Sequence, residues 1–506
     1  MSIAVTQGIS LIGLQGQIVT IEVDVAQGLP NYSLLGLPDA ALHESRDRIR
    51  SAISNTGRSW PQKKITVSLS PAWLPKSGSG FDLPIALAIL AASDQIDIKG
   101  LSETIFIGEL SLEGWLRPIR GALSMAIAAR AHRIKRIIVP FENYEEARLL
   151  DSIEIIPFKH IREIFHWLKT GERIEAPPLI IQGEQPATVD LADVAGQAEA
   201  KFALEVAAAG GHHLLMMGPP GTGKTMLAER LPTILPSLTD DEALDVTAIH
   251  SIAGVLNERG VLNKMPPFIA PHHTTTTVAM VGGGSQSIRP GACSLAHRGI
   301  LFIDEAPECA SGILDALRQP LESGAITITR AHGSYVFPAS FILVLAANPC
   351  PCGRYSGRGR ACECTSLQIR RYMNRLSGPL MDRMDIRMRV EPPSRAELAE
   401  IGQSERSEKV RARVIQARER ARERFKGLDY SLNSRIPSEA LRGKFRADSS
   451  GMKLLHRYLD EERLSARGFH KVMRVAWSIA DLAGVDRPTV TEIERALSIR
   501  DMDNAL

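Results

Sequence analysis

Long apolar runs are missing from this chain. The most apolar stretch, near Phe81–Ser93, is interrupted by Asp82 and falls short of the roughly 18–20 residues that cross a bilayer, so no membrane partner is expected. Cysteine is scarce, six in 506 residues, which excludes a disulfide framework. The opening MSIAVTQGIS has neither a basic n-region nor a small-residue cleavage site; no secretory signal is expected, and the cytoplasm is the expected compartment. A strong charge of one sign is missing too. Sixty Lys and Arg against 57 Asp and Glu leave a formal net charge of +3. That balance neither demands nor excludes an acidic partner, because a local basic channel can hide in a near-neutral total. Hydrophobic residues make up 44% and charged residues 23%, an ordinary globular composition. The length exceeds one core and predicts about three domains.

Local patterns divide the chain. VTIEVDV (Val19–Val25) and KITVSLS (Lys64–Ser70) alternate apolar and polar with period two, which predicts half-buried strands. Asp39–Thr56 predicts a helix, with Gly57 placed to end it in the left-handed region. Another helix follows Phe81, and strands are predicted at TIFIGEL (Thr104–Leu110) and RIIVP (Arg136–Pro140) with a helix between. Residues 1–170 therefore form a first α/β or α+β domain. Gly171–Asp190, with its Pro-Pro pair, is the expected linker. A second α/β domain spans 191–393, and 394–506 is a helical bundle. In that bundle Val410, Val414, Ala417, Ala421 and Phe425 share one helical stripe, Phe469–Ala483 is helical, and Thr489-x-x-Glu492 fits a capping box.

The second domain carries the chemistry. GPPGTGKT, comprising Gly218, Pro219, Pro220, Gly221, Thr222, Gly223, Lys224 and Thr225, lies between a short apolar run, HLLMM, and a helical one. In that context a Gly-rich loop turns backbone N–H groups toward phosphates, with the positive end of a helix behind them. Lys224 is placed for the β- and γ-phosphates of ATP and Thr225 for Mg²⁺. GILFIDEA ends a buried strand in Asp304 and Glu305. Asp304 suits the Mg²⁺ shell and Glu305 the attacking water. FILVLAANP ends in Asn348, a candidate sensor of water or γ-phosphate. Arg383 (LMDRMDI) and Arg467 (LSARGFHKVMR) are candidates to meet phosphoryl charge, a task that an arginine from a neighbour can perform.

These stretches, together with DVAGQAEAKFALEVAAAGG, AANPCPCG and RLSGPLMDRMDI, resemble the AAA+ ATPases related to the magnesium-chelatase motor subunit, and among them the ComM/YifB group. The likeness covers nearly the whole chain. It implies that Lys224, Thr225, Asp304, Glu305 and Asn348 serve ATP in their own chain. It also implies that Arg383 is a finger pointed into the next subunit and Arg467 the lid arginine. A homo-oligomeric ring follows, with a hexamer expected. The implied fold is α/β overall: an N-terminal Lon-protease-like α+β domain (ribosomal S5 domain 2-like), a P-loop AAA+ domain with a parallel sheet, and a C-terminal helical lid.

In the first domain, PKSGSGFDLPIAL (Pro75–Leu87) resembles the Lon-type protease, which places a serine in P-K-x-G-P-S-A-G and a lysine in G-G-L-K. Aligned without gaps, those positions fall on Gly80 and Leu123. A serine nucleophile needs a base, so the dyad is absent and the domain is expected to be a ring scaffold or a DNA- or partner-binding surface. The cluster HESRDRIR fits such a face or an ordinary solvated helix side.

Cys350, Cys352, Cys362 and Cys364 fall in one loop. Four thiolates so close could hold a structural Zn²⁺, yet C-x-C is a tighter chelate than C-x-x-C, and a loop with incidental thiols remains open. From Cys350 to Arg375 there are six arginines (354, 358, 360, 370, 371 and 375) and one acid, Glu363, a bias that suits a phosphate backbone. The stretch Ala270–Gly291 contains three consecutive glycines and is expected as a flexible pore loop; its His272 and His273 are expected to be polar loop residues. The leading reading is an Mg²⁺-dependent ring ATPase that remodels DNA by branch migration or helicase action, working with recombination proteins or in transformation. The alternatives are a metal-chelatase motor and an ATP-driven protein-assembly adaptor.

Overall fold

In a computed structural model of the chain, the described residues are 3–76, 78–97, 103–172, 189–256, 262–284, 288–330, 333–355, 362–399 and 404–500. Most of the expected linker, as well as Arg358 and Arg360, lies outside them.

The first domain opens with strands β1 (Ile3–Ile12), β2 (Gln15–Ala26), β3 (Asn31–Leu35) and β4 (Lys64–Ser70), in sheet order β1-β2-β4-β3. Period two is obeyed: Val19, Ile21, Val23 and Val25 are buried on β2, as are Ile65, Val67 and Leu69 on β4. Helix α1 (Ala40–Asn55) is capped by Asp39, whose carboxylate accepts from Leu42 N at 2.9 Å. Gly57 follows at φ 79°. Helix α2 (Asp82–Ala92) is buried nearly all round, as its continuous apolar sequence requires. Of the HESRDRIR cluster, Arg48 is used internally, donating to the buried Asp82 carboxylate at 2.9 and 3.1 Å.

TIFIGEL does not form one strand. It yields β5 (Thr104–Phe106) and a separate pair of extended residues, Glu109–Leu110. The break is at Gly108, whose N–H donates to Gly80 O (3.0 Å) and whose carbonyl accepts from Leu83 N (3.1 Å). Those backbone groups bind the start of α2 instead of a neighbouring strand. Helix α3 (Ala122–Ala131) leads to β6 (Arg136–Pro140) and β7 (Glu154–Phe158), and β5-β6-β7 is a parallel sheet.

The second domain runs through α4 (Ala198–Gly210), β8 (Leu214–Met217), α5 (Lys224–Ile234), α6 (Asp240–Ala253), β9 (Phe268–Ile269), β10 (Ile300–Ile303), β11 (Ile342–Ala347) and β12 (Ile386–Arg389). The sheet order is β9-β10-β11-β8-β12 and every pairing is parallel. Strands covered on both faces must be apolar throughout, and β10 and β11 are wholly buried. Alternate residues serve opposite cores. Leu214, Met216, Phe302 and Val344 face one, while Leu215, Leu301, Ile303, Leu343 and Leu345 face the other.

After β12 the described residues form only helices, among them α7 (Ser407–Arg424), α8 (Ser449–Asp460), α9 (Ala466–Ala483) and α10 (Val490–Ser498). Thr489 and Glu492 make the capping box on α10. The stripe Val410, Val414, Ala417, Ala421 and Phe425 is buried. Most of it joins the same core as Leu214 and Phe302, so the C-terminal helices share their interior with the parallel sheet. Val414 is fully buried, whereas Gln416, two residues on, is exposed. Replacing Val414 with Ala should destabilise the protein by about 2 kcal/mol, and Gln416→Ala should change stability by less than about 0.5 kcal/mol. Urea midpoints of the two variants measure this. Equal shifts would show that the stripe is not the packed face.

Candidate active site

The parallel sheet brings the sequence motifs to one edge. Met217 is in register with Ala347 on one side and Arg389 on the other, and Ile303 with Leu345. The chain therefore leaves β8 at Gly218, β10 at Asp304 and β11 at Asn348, all at the C-terminal edge. Open parallel sheets bind ligands there.

The loop glycines answer two different demands. A Cβ on Gly218 would lie 2.2 Å from Val390 O, so backbone approach excludes any side chain. Gly223 has φ 85° and turns the chain into α5. Thr222 Oγ1 donates to Pro219 O (2.9 Å), and Gln197 Nε2 donates to Thr222 O (2.7 Å), bracing the loop from outside. Gly221 (φ 78°) and Pro220 form its exposed crown.

Lys224 is 8% exposed. Its ammonium donates to Gly218 O (2.7 Å) and Pro219 O (2.9 Å) and lies 3.3 Å from Asn348 Oδ1. Burial pulls its pKa below the usual lysine value, and the Asp304 and Glu305 charges oppose that shift. Thr225 Oγ1 donates to Asp304 Oδ2 at 2.8 Å. A hydroxyl and a carboxylate meeting at the mouth, beside a buried cation and a loop of backbone donors, fit a nucleotide triphosphate with its Mg²⁺. Lys224 and the loop N–H groups would hold the phosphates; Thr225 and Asp304 would hold the metal, which neutralises phosphate charge when bound.

Glu305 takes a conformation its sequence does not announce. Its φ is +48°, in the left-handed region that glycine favours, and its N–H donates to Asp304 Oδ1 at 2.9 Å. The two neighbouring acids are thereby splayed, one to Thr225 and one to the open mouth. Strand β9 delivers a further residue to this place. His273 Nδ1 lies 3.6 Å from Glu305 Oε2, and the His272 and His273 rings are 4.1 Å apart. The sequence reading treats these histidines as loop polar groups. The signal for His273 is its position just after a strand that neighbours β10.

Arg383 and Arg467 are at the other edge. Arg383 lies three residues before β12 begins; it donates to Pro379 O (2.6 Å) and pairs with Glu322. Burial lowers its pKa, and the nearby Arg318 and Arg467 add to the effect. Arg467, at the start of α9, pairs with Asp382 at 2.5 Å and is 80% exposed. Among the described residues, neither arginine makes a hydrogen bond or ion pair with Lys224, Thr225, Asp304 or Glu305. The resemblance leads one to expect Arg467 in the lid, and the structure sets it beside Arg383.

The expected pore glycines are held rather than free. Gly282 and Gly283 are buried and pair antiparallel with Arg289–Pro290; a Cβ on Gly282 would lie 2.6 Å from Arg289 O. Of the arginine-rich stretch, Arg375 is engaged by Pro307 O (3.0 Å) and Glu308 (3.1 Å), while Arg354, Arg370 and Arg371 are exposed. In the first domain Ser79 donates to Glu109, and the buried Lys76 ammonium to Pro71 O. Of the two positions that the resemblance aligns with the protease serine and lysine, Gly80 is partly exposed and Leu123 is fully buried.

A five-stranded parallel sheet with this strand order, a phosphate loop after β8, paired acids after β10, Asn348 after the central β11 and a helical lid defines a P-loop ATPase of the AAA+ type. Residues 190–398 match the family profile "Magnesium chelatase, subunit ChlI", residues 21–143 "Subunit ChlI of Mg-chelatase", and residues 404–500 the ChlI C-terminal profile. The chain is 46% identical to an uncharacterised protein of Mycobacterium tuberculosis over 96% of each chain. It is 40% identical to competence protein ComM of Haemophilus influenzae over 99% of this chain and 98% of that one. Identity to YifB of Escherichia coli is also 40%, over 100% and 98%. The chain belongs to the ComM/YifB family of magnesium-chelatase-like AAA+ ATPases.

Two variants test the site. Glu305→Gln should bind ATP with near-normal affinity and lose at least about 100-fold in turnover; normal turnover would remove Glu305 as the base. His273→Gln should lower kcat about fivefold, leave the ATP Kd unchanged, and add nothing in the Glu305→Gln background. An additive loss in the double variant would show that His273 does not act through Glu305.

Proposed function

We propose that the protein is a ring-forming, Mg²⁺-dependent ATPase that couples hydrolysis to movement along or remodelling of DNA, most specifically branch migration or strand separation in recombination or natural transformation. The observation that carries the ring is the separation of parts across the sheet. Strands of four residues are about 13 Å long, and all five run the same way. Lys224, Asp304 and Glu305 therefore stand at one edge, with Arg383 and Arg467 at the other. This placement away from their own chain's phosphate loop favours a second copy as the partner of these arginines. Transferring phosphoryl charge is then met in trans, and ATP sits where the relative position of two copies matters. A closed ring satisfies every such interface at once, and a hexamer is the number the family resemblance implies.

DNA is favoured as the substrate by two independent features. Arg354, Arg370 and Arg371 are exposed close after β11, so a strand end that senses nucleotide is followed directly by cations suited to phosphate backbone. The Haemophilus influenzae relative is named a competence protein, which places transforming DNA among the substrates to test first.

Arg383→Ala should lower ATP turnover by about 10³, as should Lys224→Ala. Mixing the two variants should restore measurable basal turnover, because mixed interfaces pair an intact Lys224 with an intact Arg383. No recovery, with each variant folded and able to associate, would refute the shared pocket. For the substrate, turnover is measured with single-stranded, duplex and four-way DNA at low salt. Stimulation that falls steeply as salt rises supports the DNA reading. Absence of binding or stimulation by every DNA form would sink it, and stimulation by a tetrapyrrole with Mg²⁺ would transfer the motor to chelation.

A further inference from the structure

The four loop cysteines converge. Cys350 Sγ is 3.3 Å from Cys352 Sγ and 3.6 Å from Cys362 Sγ, and the latter two are 3.6 Å apart. With Cys364 included, all four sulfurs lie within 4.8 Å of one another. All are free thiols, far from the roughly 2.05 Å of a disulfide. Four thiolates around one zinc at about 2.3 Å would stand roughly 3.8 Å apart. Iron–sulfur clusters distribute their cysteines over two or more irons and need a wider spread than this one. The grouping therefore selects a single tetrahedral ion. Backbone N–H groups of Arg354, Cys352 and Cys364 lie in the same loop as the sulfurs, where they can serve as outer donors. Such outer hydrogen bonds disperse the charge of metal-bound thiolate.

The loop is wedged against the phosphate cradle. Cys350 is two residues past Asn348 and fully buried. Gly353 (φ 74°), whose N–H donates to Cys350 O at 2.9 Å, packs so tightly on the crown of the nucleotide loop that a Cβ would lie 2.7 Å from the Pro220 ring. After the last cysteine the chain returns to the same place, where Tyr372 is buried and feels the Asn348 backbone. The described residues on either side, 350–355 and 362–372, are thus held together beside Asn348, with the four sulfurs grouped between them.

We propose that Cys350, Cys352, Cys362 and Cys364 hold a structural zinc ion that pins the end of β11, with Asn348, against Pro220 of the nucleotide loop. Entry of Zn²⁺ releases four thiol protons and leaves a site of charge −2, next in sequence to the exposed Arg354. The ion takes no part in hydrolysis; it sets where Asn348 stands. This assignment is independent of whether DNA is the substrate.

Elemental analysis of the full chain, purified without chelators, should find about one zinc per protomer. Growth with Co²⁺ should give a protein with the intense thiolate-to-cobalt absorption of a tetrahedral S₄ site. Less than about 0.2 zinc per chain with no cobalt–thiolate spectrum overturns the site, and so does stoichiometric iron in place of zinc. The double variant Cys362→Ser, Cys364→Ser should lose the metal while retaining the circular dichroism of the folded chain. Its ATP Kd should rise about tenfold; an unchanged Kd in a folded, zinc-free protein would overturn the pinning of Asn348. Should that variant fail to fold, chelation of zinc from the intact wild-type protein by a mercurial reagent and a metal-binding dye gives the same comparison of Kd before and after release.

Discussion

The direction of five parallel strands is the constraint on which everything else rests. Antiparallel neighbours would scatter strand ends over both edges. Here β8, β10 and β11 all end on one side, so the phosphate loop, the acid pair and Asn348 meet without any long excursion. The same rule sends the segment before β12 to the opposite side and carries Arg383 with it. The described sheet therefore holds these arginines and the phosphate loop at opposite edges. On the proposed reading, association becomes part of the chemistry, because Arg383 and Arg467 stand at the edge away from the phosphate loop.

That opposite edge is made stiff by a buried polar network. His212 Nδ1 is 3.0 Å from Asp385 Oδ2, and its Nε2 is 2.7 Å from Ser478 Oγ. Lys471 on α9 lies 3.6 Å from Asp385 and donates to Met384 O at 3.1 Å. Asn433 donates to Ser478 Oγ (3.1 Å) and Asp481 (2.8 Å), and Arg424 pairs with Asp481. Burial would raise the Asp385 pKa, but His212 and Lys471 hold it well below the usual carboxylate range; burial also drops Lys471 to about 8. A pair of buried charges has little net worth against an apolar substitute, yet it tolerates no missing partner. The network thus ties α9, the end of α7 and the approach to β12 into one body. Arg467, through Asp382, and the adjacent Arg383 lie together at its surface.

The readable parts of the sequence were those that local physics dictates. Alternation on β2 and β4, the α7 stripe and the Thr489–Glu492 cap each depend on spacing within a few residues. The phosphate loop is readable for the same reason, since Gly218 and Gly223 are forced by backbone approach and backbone angle. What could not be read depends on residues distant in sequence. Gly108 ends a strand because Gly80 and Leu83 bind its backbone. Gly282 and Gly283 resemble a hinge until their partner Arg289–Pro290 is known. His273 becomes informative only once β9 is seen to lie beside β10. Arg467 can be assigned to the lid from its motif, but its edge follows from Asp382, 85 residues away.

The first domain follows the same logic of fixed placement. Its helix α3 packs on α6 of the ATPase domain, with Ala248 inside the core that holds Leu123 and Ala126. At the seam, Gly121 N–H donates to Ser251 Oγ (3.0 Å), which donates to Glu146 (2.5 Å); Asn143 adds a bond to the same carboxylate at 2.6 Å. Burial pushes Glu146 above the usual carboxylate range, with Ser251 and Asn143 opposing. Domains joined only by a linker swing freely, and an apolar interface with satisfied polar groups restrains them. Helix α6 leads toward β9, the strand that carries His273 to Glu305. The first domain is therefore seated on the helix that leads to the edge where the phosphate loop and the acid pair meet, and a shift at the seam would act on that helix.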